Sequence, residues 1–308
     1  MYKYKLLRKF NSNCHTFEFS PNEFRLDVTI GAPNKLEKLS KIAGEPTNEE
    51  YVLAKMNAGF FAMNGSREYL GSYVDEGKYY SKAAQYYPTL IFWKKGNQFT
   101  IEHDSDQSRH AYYQRFAHFA IGVPWTLIVD GVIDFTYSKQ ELIRVFGHPY
   151  TKQPRSLIGQ KADGTIVWVV IDGRSSNSKG ATITESATLM LELGCSIAVN
   201  LDGGGSSEMI VNNTIVNKPS DGAERAIGTA FMCYGKKQKG SENHIKGKVT
   251  ATLLNVRKFP SANNKTSKVL GQLKLHSEVY ITGEKANWWE IVYGDGTAYV
   301  SKSWIKLV

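Results

Sequence analysis

The sequence predicts an α+β chain in two parts: a larger domain built on a mixed β-sheet with helices, followed by a small all-β barrel. Three observations carry this. Short apolar runs closed by Asx-Gly turns recur along the chain, one capped helical segment lies between two of them, and the composition changes after Tyr234. At 308 residues, 42% hydrophobic and 22% charged, the chain is long enough for one large core and one small module.

In chain order, Phe17, Phe19, Phe24, Leu26, Val28 and Ile30 alternate in part and predict strand over 17–30. A charged excursion over 35–41 precedes the apolar run Tyr51–Met56. That run ends in Asn57-Ala58-Gly59-Phe60-Phe61, which predicts an amide side chain at a sheet edge or, equally, a turn. Leu127–Val129 and Val132–Phe135 flank Asp130-Gly131, a two-residue hairpin signal. Pro154–Gly159 opens a further strand, and Asp163-Gly164 turns the chain into Thr165–Ile171, apolar enough to predict burial on both faces. Thr182 and Glu185 fit a capping box, and the helix they start is closed by Leu193-Gly194. Ser196–Leu201 then returns as strand. Strand, helix, strand predicts a parallel, right-handed crossover with Asp172 and Asp202 at carboxyl ends of strands. Immediate neighbours run about 4.8 Å apart, which would bring both carboxylates to one substrate.

The run Asp202-Gly203-Gly204-Gly205-Ser206-Ser207-Glu208 exceeds what a turn into Ser207–Asn212 requires, since two residues suffice for a hairpin. Three glycines allow backbone conformations and close approaches closed to other residues, and bare amides predict an anion-binding concavity beside Asp and two hydroxyls. This run is the first candidate for a ligand site.

Beyond Tyr234, Gly235–His244 is polar, basic and glycine-punctuated, predicting domains at 1–234 and 247–308 joined by a linker over 235–246. The last part returns to short strands and carries Trp288, Trp289, Tyr299 and Trp304, a pattern for a small barrel.

A net charge of +9 favours anionic polymers as partners. Paired Cys/His spacings and an aromatic-basic RNP-like strand are both missing, which argues against nucleic acid. Three distant cysteines, Cys14, Cys195 and Cys233, predict buried thiols rather than disulfides. No stretch reaches the apolar length of a membrane span, so no membrane insertion is expected. Met1–Phe19 lacks the apolar run of a signal peptide, which predicts either a mature start or release by lysis. No cofactor is expected. An Asp-rich edge would tolerate a divalent cation, but no metal motif is present.

Residues 57–61 (NAGFF), 154–159 (PRSLIG), 172–175 (DGRS), Gly180 with Thr184-Glu185, 200–207 (NLDGGGSS) and 225–229 (RAIGT) occur in an order that resembles the phosphodiester glycosidase family over about residues 50–234. The resemblance implies a hydrolase of N-acetylglucosamine-1-phosphodiester type acting on sugar–phosphate bonds. Leu254-Asn255-Val256-Arg257 with Gly271, Val279, Trp288-Trp289 and Tyr299-Val300 resembles a bacterial SH3-type domain, and implies wall binding. His276 and Ala298 depart from its usual glycines. Together these imply action on anionic cell-wall or capsular glycans such as teichoic acid, at the bacterial surface or outside it, from a phage-encoded or lysis-released protein.

The residue chemistry agrees. Cleavage at the anomeric carbon leaves a phosphate monoester, which needs charge neutralisation more than protonation. Arg155, Arg174 and Arg225, each in a loop near a strand end, are candidates for a bidentate clamp. An oxocarbenium-like transition state needs a carboxylate as nucleophile or base: Asp202 first, Asp172 and Glu185 in reserve, with Glu185 also explained by the cap. Asn57, Gly203, Gly204, Gly205, Ser206 and Ser207 are the remaining substrate-binding candidates. A serine nucleophile is disfavoured because no histidine lies near these motifs, and His118 and His148 read as structural. Two rivals are a non-catalytic phosphosugar-binding protein and a peptidoglycan hydrolase of endolysin type.

Overall fold

The computed structural model describes residues 1–30, 36–62, 69–81, 87–102, 107–135, 150–237, 245–294 and 296–308. The chain divides into two compact units, Met1–Lys236 and Lys237–Val308. The first is mostly β, with two helices among the described residues, Gln107–Phe116 and Ile183–Glu192. Its strand pairings are all antiparallel, where a mixed sheet was predicted.

One sheet orders Lys3–Lys9, Ser12–Phe19, Ile166–Ile171, Arg155–Lys161, Cys195–Asn200, Trp125–Val129 and Val132–Ile133. Ile166–Ile171 and Cys195–Asn200 do run in the same sense, but Arg155–Lys161 pairs antiparallel with both and separates them. The cause is local: the Asp163-Gly164 turn folds 155–161 back beside 166–171, a closure that a longer crossover cannot pre-empt. Asp172 and Asp202 therefore start from strand ends two spacings apart, about 10 Å, rather than from neighbours.

Ile166–Ile171 is buried throughout, as its apolar run predicts. Val167, Val169 and Ile171 pack with Ile183, Ala187 and Met190 of the helix, whereas Ile166, Trp168 and Val170 face Phe17, Phe19 and Phe231 in the main core. The helix is capped as predicted: Glu185 N–H donates to Thr182 Oγ1 (3.1 Å) and Thr182 N–H to Glu185 Oε2 (2.9 Å). Gly194, at φ +85°, ends it.

The second sheet orders Thr214–Ile215, Met209–Val211, Glu50–Asn57, Thr229–Lys236 and Arg25–Ile30. The predicted strand over 17–30 is thus two strands, divided by a turn in which Glu23 and Phe24 N–H donate to Ser20 O and carrying the chain from one sheet to the next. The glycine stretch makes the other crossing, leaving the first sheet at Asn200 and entering the second at Met209, so it is a corner and not a hairpin. A third sheet, Lys78–Ser81, Tyr73–Asp75, Ala117–Gly122, Thr89–Trp93 and Gln98–Glu102, joins the main core through Phe92, Phe99 and Phe119.

The second unit is a seven-stranded antiparallel sheet in the order Val269–Lys274, Leu253–Arg257, Gly296–Ser301, Trp288–Tyr293, Glu278–Lys285, Ile245–Val249 and Ile305–Leu307. Its edge strands do not pair with each other among the described residues, so the predicted barrel is an open sheet around Val249, Val256, Val279, Ile281, Ile291 and Val300. Of the predicted linker, residues 238–244 lie outside the described residues, while Gly235 and Lys236 end one strand and Ile245 begins the next.

Candidate active site

The glycine corner sits where the two large sheets meet, and a single amide holds it. Asn57, at the end of Glu50–Asn57 and 1% exposed, donates from Nδ2 to Asp202 O (2.6 Å) and accepts at Oδ1 from Ser156 Oγ (2.7 Å) and Glu208 N (3.1 Å). Leu201 N donates to Ser156 O and Asp202 N to Ala58 O, so both sheets grip the entry to the turn. On its exit, Asn217 donates to Ser207 O and accepts from Met209 N.

Within the corner, Gly204–Ser206 forms a single 3-10 turn with Gly204 at φ +61°. Gly204 N donates to Pro154 O, Ser206 N to Gly203 O and Ser207 N to Gly204 O. These amides are therefore engaged within the protein, and the anion concavity of bare N–H groups predicted from the glycines is largely closed. What the glycines provide instead is room. A Cβ on Gly205 would overlap the Asp221 carboxylate and the Arg225 guanidinium, and one on Gly204 would stand 3.0 Å from Arg174 Nη2.

Two of the three candidate arginines thus converge on the turn. Arg174 holds a left-handed backbone (φ +58°), a conformation that non-glycine residues keep only under constraint, and its Nε donates to Gln153 Oε1 at 3.0 Å. Arg225 donates from Nε and Nη2 to Asp221 Oδ2 at 2.9 and 2.6 Å, and Arg174 Nη1 stands 3.7 Å from Asp221 Oδ1. Arg155 does not join them. It is buried, and its guanidinium donates to Ala181 O (2.9 Å) and Thr151 O (3.1 Å), with burial lowering its pKa to about 10.

The carboxylates separate in the same way. Asp202 is half-buried in the corner, and loss of water pushes its pKa up to about 7 against the pull of the Ser206 side chain, Arg225 and the Gly203 amide. Asp172 is buried and anchors a loop: its Oδ1 accepts Lys218 N at 2.9 Å, and His15 Nε2 lies 3.5 Å from its Oδ2. Glu185 completes the helix cap and pairs with Lys152 at 2.9 Å. The hydroxyls of Ser206 and Ser207 are buried, and the Ser206 side chain lies close enough to the Asp202 carboxyl to lower its pKa. His118 lies in the third sheet, 3.3 Å from Glu76, and His148 lies outside the described residues. Cys14, Cys195 and Cys233 are free, buried thiols.

Residues 50–234, more than half of the chain, match the family model described as phosphodiester glycosidase. The chain belongs to the phosphodiester glycosidase family. Residues 252–306 match a bacterial SH3 domain. The N-acetylglucosamine-1-phosphodiester alpha-N-acetylglucosaminidase of Homo sapiens is 28% identical over 172 residues, covering 54% of this chain and 33% of that protein. The SPbeta prophage-derived uncharacterized protein YomE of Bacillus subtilis is 49% identical over 76 residues, 25% of this chain and 12% of that protein. The chain therefore spans a third or less of the length of these relatives. Among solved structures, the zebrafish N-acetylglucosamine-1-phosphodiester alpha-N-acetylglucosaminidase catalytic domain, auto-inhibited by its pro-peptide, superposes with a TM-score of 0.59 at 20% identity over 75% of this chain and 81% of that one. A hypothetical protein from Synechocystis gives 0.59 at 14% identity over 76% and 62%. At these identities the structures speak for the fold alone.

Sequence reasoning missed three acids. Asp221 lies four residues before Arg225, a spacing that pairs side chains on a helix, but 217–225 is a turn segment, so the spacing alone does not mark it. Glu208 follows the serines directly, yet nothing in the sequence shows that its buried carboxyl meets Glu224. Burial, then Glu224, push the Glu208 pKa up to about 8. The Glu224 pKa is held low: burial would raise it, but the bond from Glu208 and the N–H and hydroxyl of Ser40 outweigh that.

Proposed function

We propose that this chain hydrolyses glycosyl-1-phosphodiester bonds, of N-acetylglucosamine-1-phosphodiester type, in anionic cell-wall or capsular polymers of bacteria. The observation that carries the reading is the placement of Arg174 and Arg225 directly on the Gly204-Gly205 turn beside the Asp202 carboxyl. In the reaction, the oxygen of water bonds to the anomeric carbon and its proton passes to Asp202 in the carboxylate form. The bond from that carbon to the bridging oxygen breaks, its electron pair leaves with the phosphate, and the monoester departs. A base with a pKa near 7 suits a reaction at neutral pH. The two guanidiniums oppose the charge that grows on the phosphate, so the leaving group needs no proton. The Ser206 and Ser207 hydroxyls, beside Asp202 on the same turn, are the candidates to bond sugar hydroxyls or phosphate oxygens once substrate enters. The vertebrate relatives' named activity concerns the same bond class.

The SH3-domain match supports wall binding by the second unit. There Trp288, Trp304, Leu253 and Leu254 line a groove of 630 Å³. Trp289 lies under Lys302 and Tyr299 is buried, so the accessible aromatic surface is narrower than four rings. The prophage-derived relative supports a phage-linked origin, and the SH3-domain match supports action at the bacterial surface.

Phosphorus NMR of a methyl glycosyl-1-phosphate diester, and then of purified wall polymer, tests the reading. The expected outcome is replacement of the diester signal by a monoester signal on adding protein. A folded protein that binds the diester without changing it would be a phosphosugar-binding protein instead.

A further inference from the structure

The Asp221 carboxylate lies between Arg174 and Arg225. It touches Arg225 at 2.9 and 2.6 Å through Oδ2, faces Arg174 at 3.7 Å through Oδ1, and rests over Gly205, whose missing Cβ leaves room for it. The Ser220 hydroxyl stands 3.5 Å from Oδ1. The loop that carries it is pinned at both ends. Lys218 N donates to the buried Asp172, and the Glu224 carboxylate accepts Ser40 N at 2.9 Å and Ser40 Oγ at 2.8 Å. Between these anchors, Gly222 at φ +81° turns the chain and the Asp221 side chain is 37% exposed.

We infer that the Asp221 carboxylate is an internal anion that occupies the arginine pair in the free protein, is displaced by the phosphate of the substrate, and competes with the phosphate monoester product so that it leaves. The inference rests on the phosphate-bearing substrate proposed above. The charges fit this role. Arg174 and Arg225 together carry two positive charges, and Asp221 neutralises one of them in the free protein, so a phosphate must outcompete an anion already in place and a bound monoester faces the same competitor as it leaves. Ion pairs this exposed are weak, so an incoming phosphate can exchange with the carboxylate. Arg174 keeps its orientation when the carboxylate swings away, because its Nε is held independently by Gln153. The fixed ends of the loop confine the exchange to the side chain at its apex.

The test is calorimetric titration of the full chain with inorganic phosphate, comparing the natural protein with Asp221→Asn and Asp221→Glu. Asp221→Asn is expected to bind phosphate about tenfold more tightly, Asp221→Glu to bind like the natural protein, and Arg225→Ala to lose most of the binding. Unchanged or weaker binding in folded Asp221→Asn would overturn the inference and make the carboxylate a positioning residue for the arginines. Asp221→Ser is the second variant should the first fail to fold, and misfolding of both would equally overturn it. The readout is binding alone, so it is separate from turnover. Tighter phosphate binding in a protein that hydrolyses no diester would leave the displacement of Asp221 by phosphate standing and remove both the glycosidase reading and the product-release role.

Discussion

Arg155 and Arg174 look alike as sequence, each in a family motif beside a strand end, and the structure gives them opposite surroundings. Arg155 lies inside, bonded to two backbone carbonyls. Arg155→Ala is therefore expected to act on folding, removing the bonds to Thr151 O and to Ala181 O, which keeps its bond from Gln153 N, at a cost of about 1 kcal/mol each, as chemical denaturation would measure. Arg174→Ala should leave stability nearly unchanged and lower turnover by roughly a hundredfold, as for other donors aimed at developing charge. A stable but inactive Arg155→Ala would restore it to the phosphate clamp. Asp202 belongs to the same scale. Asp202→Asn keeps size and removes the base, and is expected to lower kcat by at least about a hundredfold. With its pKa pushed up to about 7, the natural protein should gain activity as pH rises through 7 and the carboxylate ionises. A rate profile that keeps this limb in the variant would assign the limb to another group.

The elements show what the sequence makes legible. Local signals survive into the structure: the Thr182–Glu185 capping box, the Asp130-Gly131 hairpin and the doubly buried strand Ile166–Ile171 form as read, because each depends on neighbours within a few residues or on apolar content alone. Long-range order does not show in the same way. Nothing in the runs 155–161, 166–171 and 195–200 states which lies in the middle, and that choice sets the spacing of Asp172 from Asp202. The Glu208–Glu224 pair is a second case, joining the strand after the glycine corner to the segment before Arg225. It carries a sign. With the folded Glu208 pKa raised from 4.5 to about 8, the folded state holds a proton that the unfolded chain has lost, so stability falls as pH rises across that window. Asp202 acts in the same direction up to about 7, and Glu224, held low, contributes in the opposite sense only below 4.5. Glu208→Gln keeps a donor without a titrating group and should flatten the decline. Urea unfolding at pH 5 and pH 8 measures it, and an equal slope in the variant would locate the titration elsewhere.

At the scale of the whole molecule, the two units have separate hydrophobic cores, one centred on Trp168 and Phe231 and the other on Val256 and Ile291. The residues gathered at the glycine corner, Asn57, Arg174, Asp202, Ser206, Asp221 and Arg225, all belong to the first unit. The Trp288–Trp304 groove belongs wholly to the second. Chemistry and attachment are thus expected to be separable. A chain ended at Ser241 should fold and cleave a small soluble glycosyl-1-phosphodiester at the rate of the full protein, because no group proposed to touch the anomeric carbon or the phosphate is removed. On whole cell walls it should be slower, through lost effective concentration rather than lost chemistry. Sedimentation with purified walls should follow residues 247–308, and Trp304→Ala, which removes a half-exposed ring from the groove, should weaken it without altering turnover of the small substrate. A shortened chain that remains folded by circular dichroism, yet loses activity on the small substrate as fully as on walls, would show that the second unit completes the active site.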